Sequence, residues 1–293
     1  MPNKYKDHSK AAKDVKLGST DSYKFTIKNN AADGTKVETS QEIKHAGTVL
    51  TKLSLKFKKC CGIKMESFET SSDGAVKGVV GYQGAAPGVD VSFGAERKKE
   101  GTNSVFVKGA YNKDMLNLNG SVDLLAKSLD VDAMVAYQAF LVGGKASLAQ
   151  NDKSLLKGFS GVVGFNWDAA NRATFEMNNE KKYSFATYVK PASDMQVSVM
   201  AGSQIAAASA APEAIDVTVA GCFDLDNNGT SLTSTLNANA RNLKDSVKFG
   251  LAYNQKLRSF AELKLSGEIE LGGSNNTAFG AELNLGDLSK VET

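Results

Sequence analysis

The chain has 293 residues, of which 42% are hydrophobic and 23% charged, and its formal net charge is +3. This composition is that of an ordinary folded protein and excludes wholesale disorder. The net charge is too small to indicate nucleic-acid binding by itself. Three cysteines, two of them adjacent, form no disulfide framework and are typical of a reducing compartment.

No stretch of the chain is long and apolar enough to predict a membrane-spanning helix. The longest uncharged stretch, from Met195 to Pro212, is diluted by polar residues. The N-terminus has no apolar core followed by a cleavage site, so we predict no secretory signal. A membrane protein remains an open alternative, because a closed barrel also satisfies its backbone hydrogen bonds within a bilayer.

The first 17 residues differ from the rest of the chain. Tyr5, His8, Ala12 and Val15 recur at helical spacing, which places them on one side of a helix, with the lysines mostly elsewhere. A mitochondrial presequence should be poor in acidic residues, and a surface anchor should carry larger apolar side chains. The pattern therefore favours a helix that lies against an inner wall of the protein, with Gly18 as its C-terminal stop.

From Tyr23 to Leu285 the chain alternates between apolar and polar residues, with turn residues at intervals. The clearest segment is Ala261 to Leu271, in which one set of alternate residues is apolar and the other is charged or polar. Side chains of a strand alternate between two faces, and about 9–11 residues of tilted strand cross a bilayer. The alternation is ambiguous in three segments, and Ser203 to Pro212 is predicted to be a loop. The ambiguous segments are Val76–Gln83, Leu129–Gln138 and Ala214–Phe223.

Two motifs resemble ligand-binding loops, but their spacing fits neither type. Asp224, Asp226 and Asn228 open like a calcium loop, yet Thr235 stands where a bidentate Glu is required, so we predict a hairpin turn. The segment Gly143–Ser147 departs from the phosphate-binding loop pattern, and we predict a tight turn. The residues indicate no metal site, cofactor or catalytic set, and we predict no enzyme.

Tyr5, Asp7, the Lys10–Ala12 run and Lys13–Val15 resemble the N-terminal helix of the mitochondrial voltage-dependent anion channels, the eukaryotic porins. Asp245–Gln255 is similar to a strand near the end of that family's chain. Gly280, Leu283 and Leu285 resemble its sorting signal for outer-membrane insertion, although Ala278 stands where that signal usually has a polar residue.

The resemblance implies an all-β, membrane-spanning β-barrel of about 19 strands with the N-terminal amphipathic helix in its lumen. The mitochondrial anion channel has nineteen strands, and placing one strand between successive turns gives about that number here. We therefore expect residues 1–18 to form the helix and hinge, and residues 19–293 to form the transmembrane barrel.

The sequence departs from the family at further positions, and the family's glycine-rich hinge after the helix is reduced to Gly18. The family's Gly-Leu-Lys segment, linked to nucleotide contact, corresponds to Gly88-Val89-Asp90, which puts that contact in doubt. The membrane-facing glutamate tied to kinase docking in some members falls near Ser67, so that partner is not carried over.

The expected function is a voltage-gated, weakly anion-selective channel for metabolites such as ATP, ADP and phosphate across the mitochondrial outer membrane. Lysines outnumber glutamates on the polar faces of the clearest strands, and lysines that line a pore attract anions. The expected partners are membrane lipid and anionic metabolites including nucleotides, and the resemblance also allows a homo-oligomer. The expected site comprises the helix residues Tyr5, Asp7, Lys10, Lys13, Asp14 and Lys16, the hinge Gly18, and the pore-lining Lys24, Lys28, Lys52, Lys56 and Lys248.

Two alternatives stay open from the sequence. The first is the related pore of the mitochondrial protein-import translocase, which should have an acidic lining for basic presequences. The second is a soluble ligand-binding β-protein, whose interior would be apolar and dry.

Overall fold

The alternating segments form the strands of one continuous sheet. The computed structural model describes residues 4, 7, 9–15, 17, 22–31, 34–44, 47–57, 63–98, 101–150, 155–168, 170–204, 215–226, 229–240, 243–258, 260–271 and 276–286. Strands that follow one another in the chain pair in antiparallel fashion, as short connections require. The strands are β1 (Ser22–Asn30), β2 (Lys36–Lys44), β3 (Val49–Lys56), β4 (Ile63–Ser71), β5 (Val76–Ala86), β6 (Val89–Arg97), β7 (Asn103–Lys113), β8 (Leu116–Asp123), β9 (Ser128–Tyr137), β10 (Phe140–Ala149), β11 (Leu156–Asn166), β12 (Arg172–Asn178), β13 (Lys182–Ala192), β14 (Met195–Gln204), β15 (Asp216–Asp224), β16 (Ser231–Asn239), β17 (Val247–Arg258), β18 (Ala261–Leu271) and β19 (Thr277–Gly286).

The first and last strands close the sheet into a barrel. β1 pairs in parallel with β19, from Tyr23 opposite Ala281 to Lys28 opposite Gly286. With an odd number of alternating strands, the first and last run in the same direction, so closure requires one parallel pair. Closure leaves no unpaired sheet edge, which a bilayer would not tolerate. The prediction of an all-β barrel of about 19 strands is confirmed.

The two faces of the wall have opposite polarity. In β1, the side chains of Tyr23, Phe25 and Ile27 point outward and are 52%, 38% and 47% exposed, whereas Thr26 on the other face is 1% exposed. The N-terminal segment lies against the polar face, which is therefore the inner one. A soluble β-protein would place its apolar face inside, so this arrangement disagrees with that alternative.

The barrel has two mouths, which we name by their turns. Mouth A carries the turns that follow β1, β3, β5 and every later odd-numbered strand up to β17, and mouth B carries those that follow the even-numbered strands. Outward aromatic residues cluster near mouth A, where Phe165 contacts both Phe140 and Trp167, with ring centroids 5.2 and 6.3 Å apart. Aromatic side chains at this height are typical of a membrane–water interface.

The structure resolves the ambiguous segments and corrects one turn. Val76–Gln83 lies within β5, Leu129–Gln138 lies in β9 except for Gln138, and the part of Ala214–Phe223 from Asp216 onward lies in β15, while Ala214 is outside the described residues. The tight turn predicted at Gly143–Ser147 is wrong, because these residues lie inside β10. A Cβ on Gly143 would come within 2.8 Å of the Ala133 carbonyl oxygen and 2.9 Å of the Met134 sulfur. The glycine therefore allows β9 and its side chains to pack closely against β10 at this position.

The structure describes only part of the predicted loop, and it confirms the predicted hairpin. In the predicted loop from Ser203 to Pro212, the first two residues belong to β14, and the remainder lies outside the described residues. The hairpin predicted at Asp226 is confirmed, since β15 and β16 pair in antiparallel fashion around it. There Asp226 accepts hydrogen bonds from the backbone N–H and the hydroxyl of Thr230.

Two short helices accompany the barrel. Helix α1 (Lys10–Asp14) contacts β13 and β14, and its Ala12 is buried. Ser9 before it makes no side-chain cap, and Val15 after it has ψ of 82°. Helix α2 (Leu243–Ser246), before β17, was not predicted. Within the part of the chain that the structure describes, neither helix is long and apolar enough to cross a membrane.

Candidate pore lining

The strand register assigns charged residues to the inner face. Starting from the inward Lys24, Thr26 and Lys28 of β1, the pairing places cations and carboxylates in similar numbers around the lumen. The inward cations are Lys24, Lys28, Lys36, Lys44, Lys52, Lys56, Lys64, Lys77, Lys108, Lys145, Arg172, Lys182, Lys248, Lys256 and Lys264. The inward carboxylates are Glu38, Glu42, Glu66, Glu69, Asp90, Glu96, Asp123, Asp130, Asp132, Glu176, Asp216, Asp224, Glu262, Glu268, Glu270 and Glu282. The lysine excess of the clearest strands is therefore local.

Three of the five lysines predicted to line the pore form ion pairs along the wall. The Lys24 ammonium lies 3.5 Å from Glu282, across the seam that closes the barrel. Lys52 lies 2.8 Å from Glu69. Lys248 lies between two carboxylates of β18, 4.0 Å from that of Glu268 and 3.8 Å from that of Glu270. The charges of these three lysines are thus partly neutralised by neighbouring strands.

The other two predicted lysines are different. Lys28 and Lys56 border a pocket at mouth A together with Lys36. Among the residues that the structure describes, these three lysines have no carboxylate within 4.0 Å. Their charges therefore face the aqueous mouth without a direct partner.

Many of the inward carboxylates already have partners. Asp123 accepts hydrogen bonds from the Leu125 and Ala126 backbone N–H groups, at 3.0 and 2.9 Å. Asp132 accepts one from Asn119 at 2.7 Å. Others are held in ion pairs, such as Glu96 with Lys77 at 3.9 Å. An ion-paired carboxylate contributes less to the field in the lumen than an unpaired lysine, whereas a carboxylate that bonds only neutral donors keeps its full charge.

The N-terminal helix presents its charges to the lumen and its small apolar side chains to the wall. Ala12 and Val15 are 3% and 4% exposed, whereas Lys10, Lys13 and Asp14 are exposed and Asp7 is half-buried. Leu17 continues this contact and lies over Gly250 of β17. Tyr5, Lys16 and the hinge Gly18 lie outside the described residues, and α1 ends at Asp14, well before Gly18.

The wall beneath the helix was not predicted from the sequence. Ala186 of β13 and Ser198 of β14 are 8% and 1% exposed, on the two strands that α1 contacts. Small residues there allow the helix to approach the wall closely. Their small size, at positions where other strands carry charges, is the signal that could have indicated the contact.

The predicted sorting-signal residues lie on β19, on both faces of the wall. Gly280 points inward and is buried. Leu283 and Leu285 point outward beside Phe25 and Ile27 of β1. The two leucines therefore belong to the apolar outer surface at the seam.

Asp90 and Ser67, which lie at two of the departures from the family, both face the lumen. Gly88 has a φ of +79°, in the turn before β6. Asp90 accepts a hydrogen bond from the Gly84 N–H at 3.1 Å. Ser67 pairs with Val79 beside an irregularity of β4 at Glu66, and the Glu66 carboxylate lies against the inward position of Gly81. Neither Glu66 nor Glu69 faces lipid.

The described residues contain no group of three or more His, Cys, Asp or Glu side chains placed to hold a metal ion. Cys222 is a free thiol on the inner face of β15, and Cys60 and Cys61 lie outside the described residues.

Comparison with known proteins agrees with this architecture. The family model described as eukaryotic porin matches residues 1–280, which is nearly the whole chain. No curated protein sequence matches the chain significantly. A wall that is apolar outside and charged inside, closed around a helix, is the arrangement expected of a pore in lipid. The chain therefore belongs to the eukaryotic porin family and is a lipid-embedded, pore-forming channel for small metabolites.

Proposed function

We propose that this channel is voltage-gated and weakly anion-selective, and that it passes ATP, ADP, phosphate and small anions across the mitochondrial outer membrane. The mitochondrial location rests on the resemblance of the N-terminal helix, through residues such as Asp7, Lys10, Lys13 and Asp14. The cargo follows from the charge of these metabolites and from an aqueous lumen, which a barrel of this strand number leaves open.

One observation carries the selectivity: within the described part of the chain, Lys28, Lys36 and Lys56 lie together on the inner wall with no carboxylate within 4.0 Å. Lys28, Lys36 and Lys56 crowd mouth A, and Lys10 and Lys13 are exposed on the helix. Because the totals of inward cations and carboxylates are similar, we expect only a weak preference. An anion entering the pore meets local positive fields, whereas the wall as a whole is nearly neutral.

The proposed gating depends on how weakly the helix is held. Ala12 of α1 and Val15 just after it are the buried apolar side chains of the described N-terminal segment, and fully burying one valine is worth about 1.5–3 kcal/mol. The membrane potential contributes about 2.3 kcal/mol per elementary charge per 100 mV. Two lysines and one aspartate in Lys10–Asp14 give that helix a positive charge. The electrical and packing free energies are therefore of the same order.

The test is the reversal potential of purified protein in a planar bilayer under a KCl gradient. We expect the sign of an anion-preferring pore, and a smaller value for the variant Lys10→Gln/Lys13→Gln. A reversal potential with the sign of a cation-preferring pore would refute the proposal. If basic presequence peptides also blocked that current, the protein-import alternative would be favoured.

A further inference from the structure

Three strands bring three lysines to one place on the inner wall at mouth A. Lys28 of β1, Lys36 of β2 and Lys56 of β3 border a pocket of about 220 Å³. Asn30, Glu38 and Ser54 complete its polar lining. These residues are not adjacent in the sequence, and only the sheet makes them neighbours.

The strand register places like charges next to each other in this pocket, which is electrostatically unfavourable. Lys36 is directly opposite both Asn30 of β1 and Lys56 of β3. The next row on the same face contains Lys28, Glu38 and Ser54. Side chains directly opposite each other have Cβ atoms about 4.5–5.5 Å apart, and like charges in such pairs are destabilising.

Several lysines elsewhere on the wall have a carboxylate partner. Lys77, Lys182 and Lys264 each have a glutamate within 4.0 Å. In the pocket, Glu38 is the one carboxylate of the lining, and no ion pair within 4.0 Å joins it to the three lysines in the described structure. The pocket therefore carries an excess of positive charge that a bound anion would neutralise.

The chemistry of the lining indicates which anion. Ammonium groups are donors without acceptor capacity, and the Ser54 hydroxyl can add a further donor. A phosphate offers several charged acceptor oxygens, which form the stronger, charge-assisted hydrogen bonds. Since the three cations come from neighbouring strands, an extended polyanion can contact more of them together than chloride can.

We propose that Lys28, Lys36 and Lys56 form a binding site for a pyrophosphate group, free or within a nucleoside diphosphate or triphosphate, at mouth A. The proposal rests on the proposed function, because such anions reach the site only if they enter the lumen. The site would hold multiply charged phosphates briefly at one entrance, which would make their passage differ from that of chloride.

Calorimetric titration with pyrophosphate tests the site in the refolded full-length protein in detergent micelles. We expect saturable binding, weakened at least about tenfold in Lys28→Gln/Lys36→Gln/Lys56→Gln, because most of the charge-assisted contacts are lost. The matched control Lys77→Gln/Lys182→Gln/Lys264→Gln removes the same charge from ion-paired positions of the wall and should retain binding. Equal weakening in both variants, or no saturable binding by the wild type, would overturn the proposal.

A second measurement does not depend on the variants folding. In single wild-type channels, pyrophosphate should reduce the conductance at lower concentration from the chamber facing mouth A than from the other chamber. Equal block from both sides would overturn the placement. ADP should bind like pyrophosphate and adenosine should not, and adenosine binding as tight as that of ADP would overturn recognition through phosphate.

The reversal potential separates the two proposals. An anion-selective wild type that does not bind pyrophosphate would retain the proposed function and reject the site. A channel without anion preference that binds pyrophosphate through the three lysines would reject the selectivity and retain the site.

Discussion

Leu17 lies directly over Gly250 on the inner wall of the barrel. A Cβ built on Gly250 would overlap the Leu17 Cδ1 atom, would lie 3.2 Å from its Cγ atom, and would come within 2.9 Å of the Thr235 hydroxyl oxygen. The contact couples the segment after helix α1 to β17, far from β13 and β14 where the helix itself rests. The absence of a side chain at position 250 is therefore what lets the N-terminal segment approach the wall.

Gly250→Val should displace Leu17 and loosen the helix from the wall. Overpacking of this kind typically costs about 1–3 kcal/mol. With about 2.3 kcal/mol per charge per 100 mV, we expect the midpoint of voltage gating to shift by on the order of tens of millivolts. Conductance–voltage curves from planar bilayers measure the shift.

Gly158→Val is the matched control for this substitution. Gly158 also faces the lumen, on β11, but the nearest atom to a Cβ there is the Asn179 Oδ1 at 3.4 Å. We expect its gating to resemble that of the wild type. If both variants gate like the wild type, the contact between Leu17 and Gly250 has no part in gating.

Trp167, the single tryptophan of the chain, should report the depth of mouth A in the bilayer. It follows β11, is 46% exposed and stacks on the outward Phe165. In vesicles of brominated lipids, bromines close to the headgroups should quench its fluorescence more strongly than bromines deep in the chains, because aromatic side chains of the interface lie at headgroup level.

The variant Trp167→Phe/Val163→Trp moves the probe along the outer face of β11. Val163 is 53% exposed and lies four residues closer to the middle of the strand, about 13 Å at 3.3 Å per residue. Its strongest quenching should shift to deeper bromines. Quenching of both probes by aqueous iodide alone would contradict the outward, lipid-facing position of this surface.

The ion pair of Lys52 and Glu69 should contribute little to barrel stability. Its 2.8 Å distance is short, but the two side chains are 46% and 29% exposed to the aqueous lumen. A double-mutant cycle with Lys52→Gln and Glu69→Gln, followed by urea unfolding in detergent, should give a coupling free energy of about 0.2–1 kcal/mol that decreases with added salt.

The pair of Lys77 and Glu96 provides the comparison for this cycle, since its atoms are 3.9 Å apart at similar exposure. Its coupling should be smaller than that of Lys52 and Glu69. A coupling of several kcal/mol for either pair would mean that the lumen wall is far less hydrated than its polarity indicates.

Asp168, in the turn between β11 and β12, should titrate in a more acidic range than usual. Hydrogen bonds from the backbone N–H groups of Ala170 and Asn171, both 2.7 Å long, lower the pKa of its carboxyl below the ordinary value of 3.8. The ionised carboxylate is the form that these bonds favour. The stabilisation of the turn is therefore present above the unfolded-state pKa and is lost as the pH falls through the folded-state pKa.

Carbon-13 NMR of the carboxyl group measures this titration directly. Asn171→Ala keeps both backbone donors but removes the side-chain amide that also bonds Asp168, so we expect its pKa to rise part of the way toward 3.8. A wild-type carboxyl that titrates at or above 3.8 would refute the turn geometry.

Periodicity along single segments predicted much of the fold. The alternation of Ala261–Leu271 predicted β18 over the same residues, because the face to which a strand side chain points depends only on its position in the strand. Local composition misled where packing decided, as at Gly143, whose glycine-rich run resembles a turn. In the described residues helix α1 ends at Asp14, where Val15 leaves the helical backbone conformation with ψ of 82°.

The distribution of charge in the lumen could not be predicted from single segments of the sequence. Lysines on single strands could be counted from the sequence, but which of them has a carboxylate partner depends on the register between strands that are distant in the chain. Lys24 meets Glu282 only through the parallel closing pair, and Lys28, Lys36 and Lys56 converge only when three strands align. The sequence by itself determined the two-sided wall, since alternation is local. The tertiary structure decided the placement of charges and of the helix, because ion pairs and close contacts depend on distances between residues that the chain order does not bring together.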